Sequence, residues 1–495
     1  MGAPLGFGIV LVRAPASCLG LGAARPQAKL LALLYYLGNG YFYVSSICGK
    51  PPPTLEKHLI IFHQNLFALH ISLVRMKTGL FLQAGKRLVA SFLFLVLLLG
   101  LGHTARAQYQ VRGVTLDKET NQPLPFVSIA VKGTTLGTAS NENGEFSLSL
   151  PSLPRTLIVS EISHVRDTVR VTSADKPLQI ALASASITLP EVKVASYAFQ
   201  LADRAYEQMR KNYEQSFYGK AFYRQVTRID NEPTEIQEMV WNVKSNNARI
   251  QGTSIAQGRY AAKQALMSFK DFSFYTKAYG LYDPGVDSTT SLSLLGPNTV
   301  KNYYLEIVGI LERGEGGIAE ISFETRPEVK NYYAKGTIWV DVDTYKVERF
   351  RITTPNYSGK SNNPAFKFKD KELQIDMSFQ NTADAASPLD HIKTTLNFVI
   401  ERPGKVRTKM NVSAFTFFYD TSRNPTNIEY DRASLDTKDL DEIRSVKYDP
   451  EFWANNAVVK RTPVEDEVIK SFEEKGAFGT MLPPKPTKAP TRKLQ

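Results

Sequence analysis

From residue 219 to residue 419, apolar side chains recur at every second position. A chain that keeps this period over so long a stretch builds a large antiparallel sheet, because successive side chains of a strand point to opposite faces. Phe222-Tyr223-Arg224-Gln225-Val226 opens the pattern, and strands are predicted at 301–311, 319–323 and 334–342. Asp343-Thr344 then turns the chain into a strand at 345–352, where Val347 is out of phase with Phe350 and Ile352 and predicts a β-bulge. Phe366 and Phe368 alternate with Lys367 and Lys369; Leu373, Ile375, Met377 and Phe379 alternate with polar residues. A hairpin follows, with strands at 395–400 and 408–419 around Pro403-Gly404. Between these strands, 260–279 reads as mixed or helical and 281–298 as loop.

One long helix precedes the sheet. Ala198, Leu201, Ala202, Ala205, Tyr206, Met209 and Tyr213 follow helical spacing, with Ser196 as predicted N-cap and Asp203, Arg204, Glu207, Arg210 and Lys211 toward solvent. A short helix at 463–475 presents Val464, Val468, Ile469 and Phe472. The expected arrangement is a curved sheet or half-barrel with a packed helix.

Upstream lie seven shorter predicted strands, at 109–116, 126–131, 138–140, 146–150, 156–160, 168–171 and 178–182. Asp117 and Asn121 supply turn chemistry, and Asn143-Gly144 predicts a hairpin between the third and fourth strands. Such spacing suggests a β-sandwich. Val111-Arg112-Gly113-Val114-Thr115, Gln122-Pro123-Leu124-Pro125-Phe126-Val127-Ser128-Ile129, Asn141-Glu142-Asn143-Gly144 and Leu189-Pro190-Glu191-Val192-Lys193-Val194 stand in an order that resembles the carboxypeptidase-regulatory-like (transthyretin-like) domain of Bacteroidota envelope proteins. The resemblance implies a noncatalytic module in an envelope protein. This chain departs from it at Ser163-His164, where the family usually has a glycine and an aromatic residue. Two further likenesses are slighter. The segment 336–352 resembles a hairpin of lipoprotein-carrier folds. The segment 195–475 is similar to uncharacterised Bacteroidota proteins at Phe222-Tyr223-Arg224 and at Tyr448-Asp449-Pro450-Glu451-Phe452-Trp453.

Charge and targeting signals concern the N-terminal stretch. Residues 1–107 carry 10 of the 60 Lys and Arg but one acid, Glu56; the remainder has 50 basic and 47 acidic residues, a net of +3. The overall +12 therefore gives no support to a nucleic-acid surface. Met76-Lys77, Lys86 and Arg87 precede an apolar run at 88–101, and Ala105-Arg106-Ala107 reads as a cleavage site before Gln108. Residues 76–107 are thus expected to be a signal peptide. Residues 1–75 are then expected to be an over-extended start, and they hold both cysteines, Cys18 and Cys48. The domains expected after cleavage are the sandwich at 108–194, an antiparallel sheet domain with a leading helix at 195–475, and a Pro- and Lys-rich disordered tail at 476–495.

The residues offer little chemistry. His164 and His391 are the histidines after Ala107, and neither has a second ligand at metal spacing, so no metal site is expected. No G-x-S-x-G occurs, and Tyr357-Ser358-Gly359-Lys360 lacks the earlier glycine of a phosphate loop. Gly314-Glu315-Gly316-Gly317 reads as a turn, and Asp341 and Asp343 as turn aspartates. Glu235 and Glu238 are neighbours that a glycosidase reading must weigh. Asn141 to Glu145 lacks the spacing of a calcium loop. Clustered aromatics (Phe269, Phe272, Phe274, Tyr275, Tyr279, Tyr282; Phe415, Phe417, Phe418, Tyr419) read as core, or as the lining of an apolar lumen. No catalytic, cofactor-binding or metal residue is therefore assigned, and no cofactor. The expected protein is exported, mainly β and nonenzymatic, with a binding or scaffolding role at the periplasmic side of the outer membrane. Its partner would be an envelope protein or a lipid, without nucleic acid; the alternative is a periplasmic lipid or lipoprotein carrier.

Overall fold

Among the described residues eighteen strands organise the fold, and each sheet follows from where its apolar residues fall. A computed structural model describes residues 108–188, 195–263, 265–286, 290–313, 316–355, 364–455, 458–474 and Phe478. All lie in one compact unit beginning at Arg106. The predicted signal peptide, residues 1–75, the exit segment 189–194 and the tail from 479 lie outside them.

The first seven strands form a sandwich of two sheets. The sheet order is β4 (Glu145–Leu150), β1 (Tyr109–Asp117), β7 (Leu178–Leu182) in one layer. The other layer is β3 (Gly137–Ala139), β2 (Ser128–Val131), β5 (Arg155–Ser160), β6 (Asp167–Val171). Alternate residues meet between the layers, with Ile129, Phe146, Leu150, Leu157 and Val159 fully buried. The Asn143-Gly144 turn is present but does not close a hairpin. It carries the chain from β3 in one sheet to β4 in the other. The Asn141 side chain accepts from the Asn143 and Glu145 amides, and this local bonding produces the turn without pairing its flanks.

The remaining strands form one eleven-stranded sheet. Its order is β11 (Ile250–Ala262), β10 (Glu232–Ser245), β9 (Phe217–Ile229), β18 (Val406–Ser422), β17 (Leu389–Arg402), β16 (Lys367–Phe379), β15 (Val347–Pro355), β14 (Lys335–Asp341), β13 (Gly316–Thr325), β12 (Tyr303–Arg313), β8 (Ile187–Thr188). Every pairing in it is antiparallel, and among the described residues it does not close into a barrel. The inner face packs around α1 (Ala195–Lys211) and α2 (Ser273–Ala278). Leu201, Ala205 and Met209 of α1 join Tyr223, Trp241, Phe272, Tyr303 and Phe350 in one core. Ser196 lies inside the first turn of α1 rather than before it.

Three strands, β8, β10 and β11, were not anticipated. In β10 the inward positions include Glu235 and Gln237, and the outward ones include buried Ile236 and Val240, so polar and apolar residues do not separate by face. Three short helices were also absent from the sequence reading: α3 (Thr299–Asn302), α4 (Asp439–Ser445) and α5 (Pro450–Asn455). The C-terminal helix α6 (Pro463–Glu474) is where the periodicity places it, with Val468, Ile469 and Phe472 buried on the outer face of the sheet.

Candidate binding cleft

The sandwich docks on the outer face of the large sheet. Phe126 stacks on Phe415 of β18, ring centroids 4.8 Å apart. Ser128 Oγ donates to Asp390 Oδ1 at 2.9 Å, and Thr138 Oγ1 donates to the Val458 carbonyl at 2.6 Å. Ala139 is buried with Phe222, Val240, Phe417, Trp453 and Val459. A second apolar contact joins Ala185 and Ile162 to Leu311, Ile318 and Trp339.

Between these contacts lies a cleft of about 290 Å³. The sandwich wall includes Ser160, Glu161 and Arg166; the sheet wall includes Arg313, Glu348, Arg349, Ser378, Asp390 and His391. Two β-bulges build the sheet wall. Trp339 pairs with Arg349 but Val340 pairs with Val347, which leaves Glu348 as the extra residue. Ser378 pairs with His391 but Phe379 pairs with Leu389, which leaves Asp390 as the extra residue. A regular strand would send consecutive residues to opposite faces; each bulge instead delivers two adjacent polar residues to the same cleft.

Charges in the cleft are mostly committed to one another. Arg349 Nε and one terminal nitrogen each donate to Asp376 at 2.8 Å, and its other terminal nitrogen reaches Glu161 at 3.3 Å. Burial alone would raise the Asp376 carboxyl, but Arg349 and then Arg351 hold it at about 2. Burial likewise opposes ionisation of Glu161, yet bonds from His164 and Ser163 and the charge of Arg349 hold it at about 2. Glu348 behaves differently: burial pushes its carboxyl up, and Arg313 at 3.6 Å offsets this only in part.

The family model of the CarboxypepD_reg-like domain matches residues 111–194, the segment that builds the sandwich. Residues 111–194 form a CarboxypepD_reg-like domain. The match covers well under half of the chain, so it assigns the sandwich and not the large sheet. No curated protein matches the chain. Among solved structures, a DUF1329 family protein from Desulfovibrio piger ATCC 29098 is 11% identical, with 51% of this chain and 99% of that one covered and a TM-score of 0.22. A protein of unknown function from Bacteroides fragilis NCTC 9343 is 10% identical, with coverages of 63% and 98% and a TM-score of 0.13. Neither score supports an inference about fold or activity.

In the CarboxypepD_reg-like domain, the departure at Ser163-His164 has a local purpose. The His164 ring is buried, with Nδ1 2.8 Å from Glu161 and Nε2 2.9 Å from Asp117. Both ring nitrogens donate to carboxylates only in the imidazolium, and the bond to Glu161, opposed by burial and helped by Asp117, raises the His164 pKa. Because Glu161 also meets Arg349, the row Asp117, His164, Glu161, Arg349, Asp376 runs from the sandwich into the sheet.

None of the weighed residue pairs becomes a reaction centre. Asp390 lies between Ser128 and His391, whose Nδ1 is 2.8 Å from it. The Ser128 hydroxyl therefore donates to a carboxylate, not to the imidazole that a serine nucleophile needs. Glu235 faces inward, accepting from Tyr260, Thr227 and the Phe269 amide, whereas Glu238 faces outward between Arg224 and Arg259. Carboxylates on opposite faces cannot flank one glycosidic bond. Asp341 accepts from the amides of Asp343 and Thr344, as a turn aspartate does. The Asn141 amide donates to Glu145 at 3.1 Å, so that loop is closed on itself. Among the described residues, no group of three or more His, Cys, Asp or Glu is arranged to hold a metal ion. Gly314, Glu315 and 357–360 lie outside the described residues.

A second charged cluster on the outer face escaped sequence reasoning. Glu238 receives Arg224 Nε at 2.7 Å and Arg259 Nε at 2.6 Å, all three side chains being buried. The Arg259 guanidinium also lies over the rings of Trp453 and Phe478, at 4.5 and 4.8 Å. Phe222-Tyr223-Arg224 and the Tyr448–Trp453 motif thus meet at one place, where the C-terminal segment clasps the sheet. The spacing of the motifs gave no sign of this, since the pairing runs through β10 and β11.

Proposed function

We propose that this is an exported, nonenzymatic cell-envelope protein with a binding or scaffolding role at the periplasmic side of the outer membrane, and that the cleft between sandwich and sheet is where it binds. The observation that carries this reading is the pair of bulges that turn Glu348-Arg349 and Asp390-His391 into a cleft walled by the CarboxypepD_reg-like domain. Bulges are favoured where a strand must re-aim side chains at a site. Export is supported by the pattern at 76–107.

The alternative, a lipid or lipoprotein carrier, calls for an apolar lumen inside the sheet. The inner face is instead packed by the chain's own α1, α2 and the segment before β12, with Trp241, Tyr223, Phe272 and Tyr303 buried there. This favours the scaffold.

A photoreactive residue replacing Ser378 in the cleft wall should form a defined adduct in cells that the same residue at Asp203, exposed on α1, does not form. Matching adducts at both positions overturn the cleft reading. Lipid extracted from the purified protein at near one per chain would transfer the reading to the carrier. N-terminal sequencing should find Gln108 first; a product beginning upstream of Met76 overturns export.

A further inference from the structure

We propose that the cleft holds the oxyanion of a small phosphate- or carboxylate-bearing ligand between Arg166 of the sandwich and Arg313 of the sheet. This inference rests on the cleft being the binding site and adds the chemistry of what it binds.

Two of the cleft's three acids are already engaged, and the third, Glu348, is shared at a distance by Arg313 and Arg166. Glu161 is held by His164 and Arg349, and Asp390 by Ser128 and His391. Its third arginine, Arg349, is likewise filled by Asp376 and Glu161. The cations Arg166 and Arg313 are not so satisfied. Among the described residues Arg166 makes no hydrogen bond or ion pair, although it lines the cleft. Arg313 reaches Glu348 only at 3.6 Å, and its Nε is buried without an acceptor. The two guanidiniums enter from opposite walls, and burial together with the like charge of Arg313 lowers the Arg166 pKa.

Arg166 is exposed, so water can serve its donors, whereas Arg313 has one distant carboxylate and a buried Nε without an acceptor. An oxyanion placed between them accepts from both, cancels their repulsion and satisfies the buried Nε. Phe126, Phe417 and Tyr419 line the same space and can pack the body of an organic ligand. The volume, about 290 Å³, is at the small end of ligand sites, which run from roughly 300 Å³ upward. That size favours a compact anion over a lipid chain.

The test is calorimetric titration at low salt of the protein purified after expression of the full chain. The probes are inorganic phosphate, phenyl phosphate and benzoate. Arg166→Gln is the deciding variant, because Arg166 has no hydrogen bond or close ion pair to lose and only the more distant charge of Glu348 opposite it. It should retain the wild-type melting temperature without ligand and weaken probe binding about tenfold or more. Arg170→Gln, on the sandwich but outside the cleft, should bind as wild type does. Tighter binding of phenyl phosphate or benzoate than of inorganic phosphate supports an organic ligand; equal binding of the two phosphates supports free phosphate. Failure of all three probes to saturate overturns the proposal, as does unchanged binding by Arg166→Gln. If the Ser378 adduct still forms in that case, the anion is wrong while the cleft remains the binding site.

Discussion

Phe126 lays its ring on Phe415 at a centroid distance of 4.8 Å, and it does so from a backbone φ of +59°. A bulky side chain in the left-handed region is uncommon, and such strain costs roughly 1–3 kcal/mol. What offsets it is at the interface: the stack itself and the Lys393 ammonium 4.3 Å from the Phe126 ring centroid. The sandwich is thus held on the sheet partly through a residue whose conformation the sandwich alone does not favour.

Two substitutions separate strain from stacking. Phe126→Ala and Phe126→Gly both lose the ring pair, worth about 1 kcal/mol beyond buried area. Glycine alone also relieves the positive φ, so Phe126→Gly should be more stable than Phe126→Ala by up to about 1 kcal/mol in urea unfolding. Equal stabilities would remove strain from the account.

His164 should make stability fall on the alkaline side. Its pKa is raised in the folded protein above the ordinary 6.5, so the folded state binds the proton more tightly. That contribution is complete below about pH 6.5 and is lost as pH rises through the raised folded value. Glu161 has the opposite sign. Its folded pKa is depressed from 4.5 to about 2, so its contribution is present above pH 4.5 and lost as pH falls toward 2. The groups facing this row are Asp117, Ser163, Ser184, Arg349 and Asp376. Denaturant midpoints measured from pH 5 to pH 9, a range set by the histidine pKa, should decline at the upper end for the wild type. His164→Phe, which restores an aromatic corner, should lack that decline.

Glu238 is the keystone of the C-terminal clasp. Burial opposes its charge, but Arg259 and then Arg224 outweigh it and hold the carboxyl at about 2. Glu238→Ala removes the carboxylate that both guanidiniums share but leaves Arg224 with Glu465 at 3.4 Å and Arg259 with Glu473 at 3.0 Å, so the loss should be about 1.5–3 kcal/mol. Protease cleavage near Trp453 should also quicken, since that ring lies on Arg259. A loss below about 1 kcal/mol would mean that water already reaches the cluster.

Gly144 tests the turn between the two sandwich sheets. Its φ is +73°, and a Cβ there would stand 2.7 Å from the Thr115 carbonyl oxygen. Gly144→Val should therefore destabilise by more than the roughly 1 kcal/mol of a simple glycine replacement. An unchanged melting temperature would show that the turn relaxes.

What could be read from the sequence follows from how far local rules reach. The sandwich strands, α1 and α6 were legible because each buries one face, so its apolar residues keep one period. The bulge at Val347 was legible for the same reason, as a break in that period, and it proved to shape the cleft. β10 was not legible: its inner face carries Glu235 and Gln237 in a buried network, and its outer face is covered by the C-terminal segment. The cleft was invisible because its walls come from residues far apart in the chain. The nearest clue was His164 standing where the family usually has an aromatic residue. That signal concerned one corner of the sandwich and gave no hint of Arg349 across the interface.

Leu201 joins the leading helix to the inner face. It is 2% exposed, and Ala198, Ala202, Ala205, Tyr206 and Met209 share its core. Leu201→Asp would place a carboxylate there without an opposite charge beside it in that cluster, and burial of an unpaired charge costs several kcal/mol. The chain can escape by protonating the aspartate, so the loss should be smaller at low pH than at neutral pH. Leu201→Ala removes the packing without the charge and should cost about 2–5 kcal/mol at any pH. A variant pair with the same pH dependence would mean that α1 can lift from the sheet. An inner face able to open in that way would return the carrier reading to the foreground, and extracted lipid would decide it.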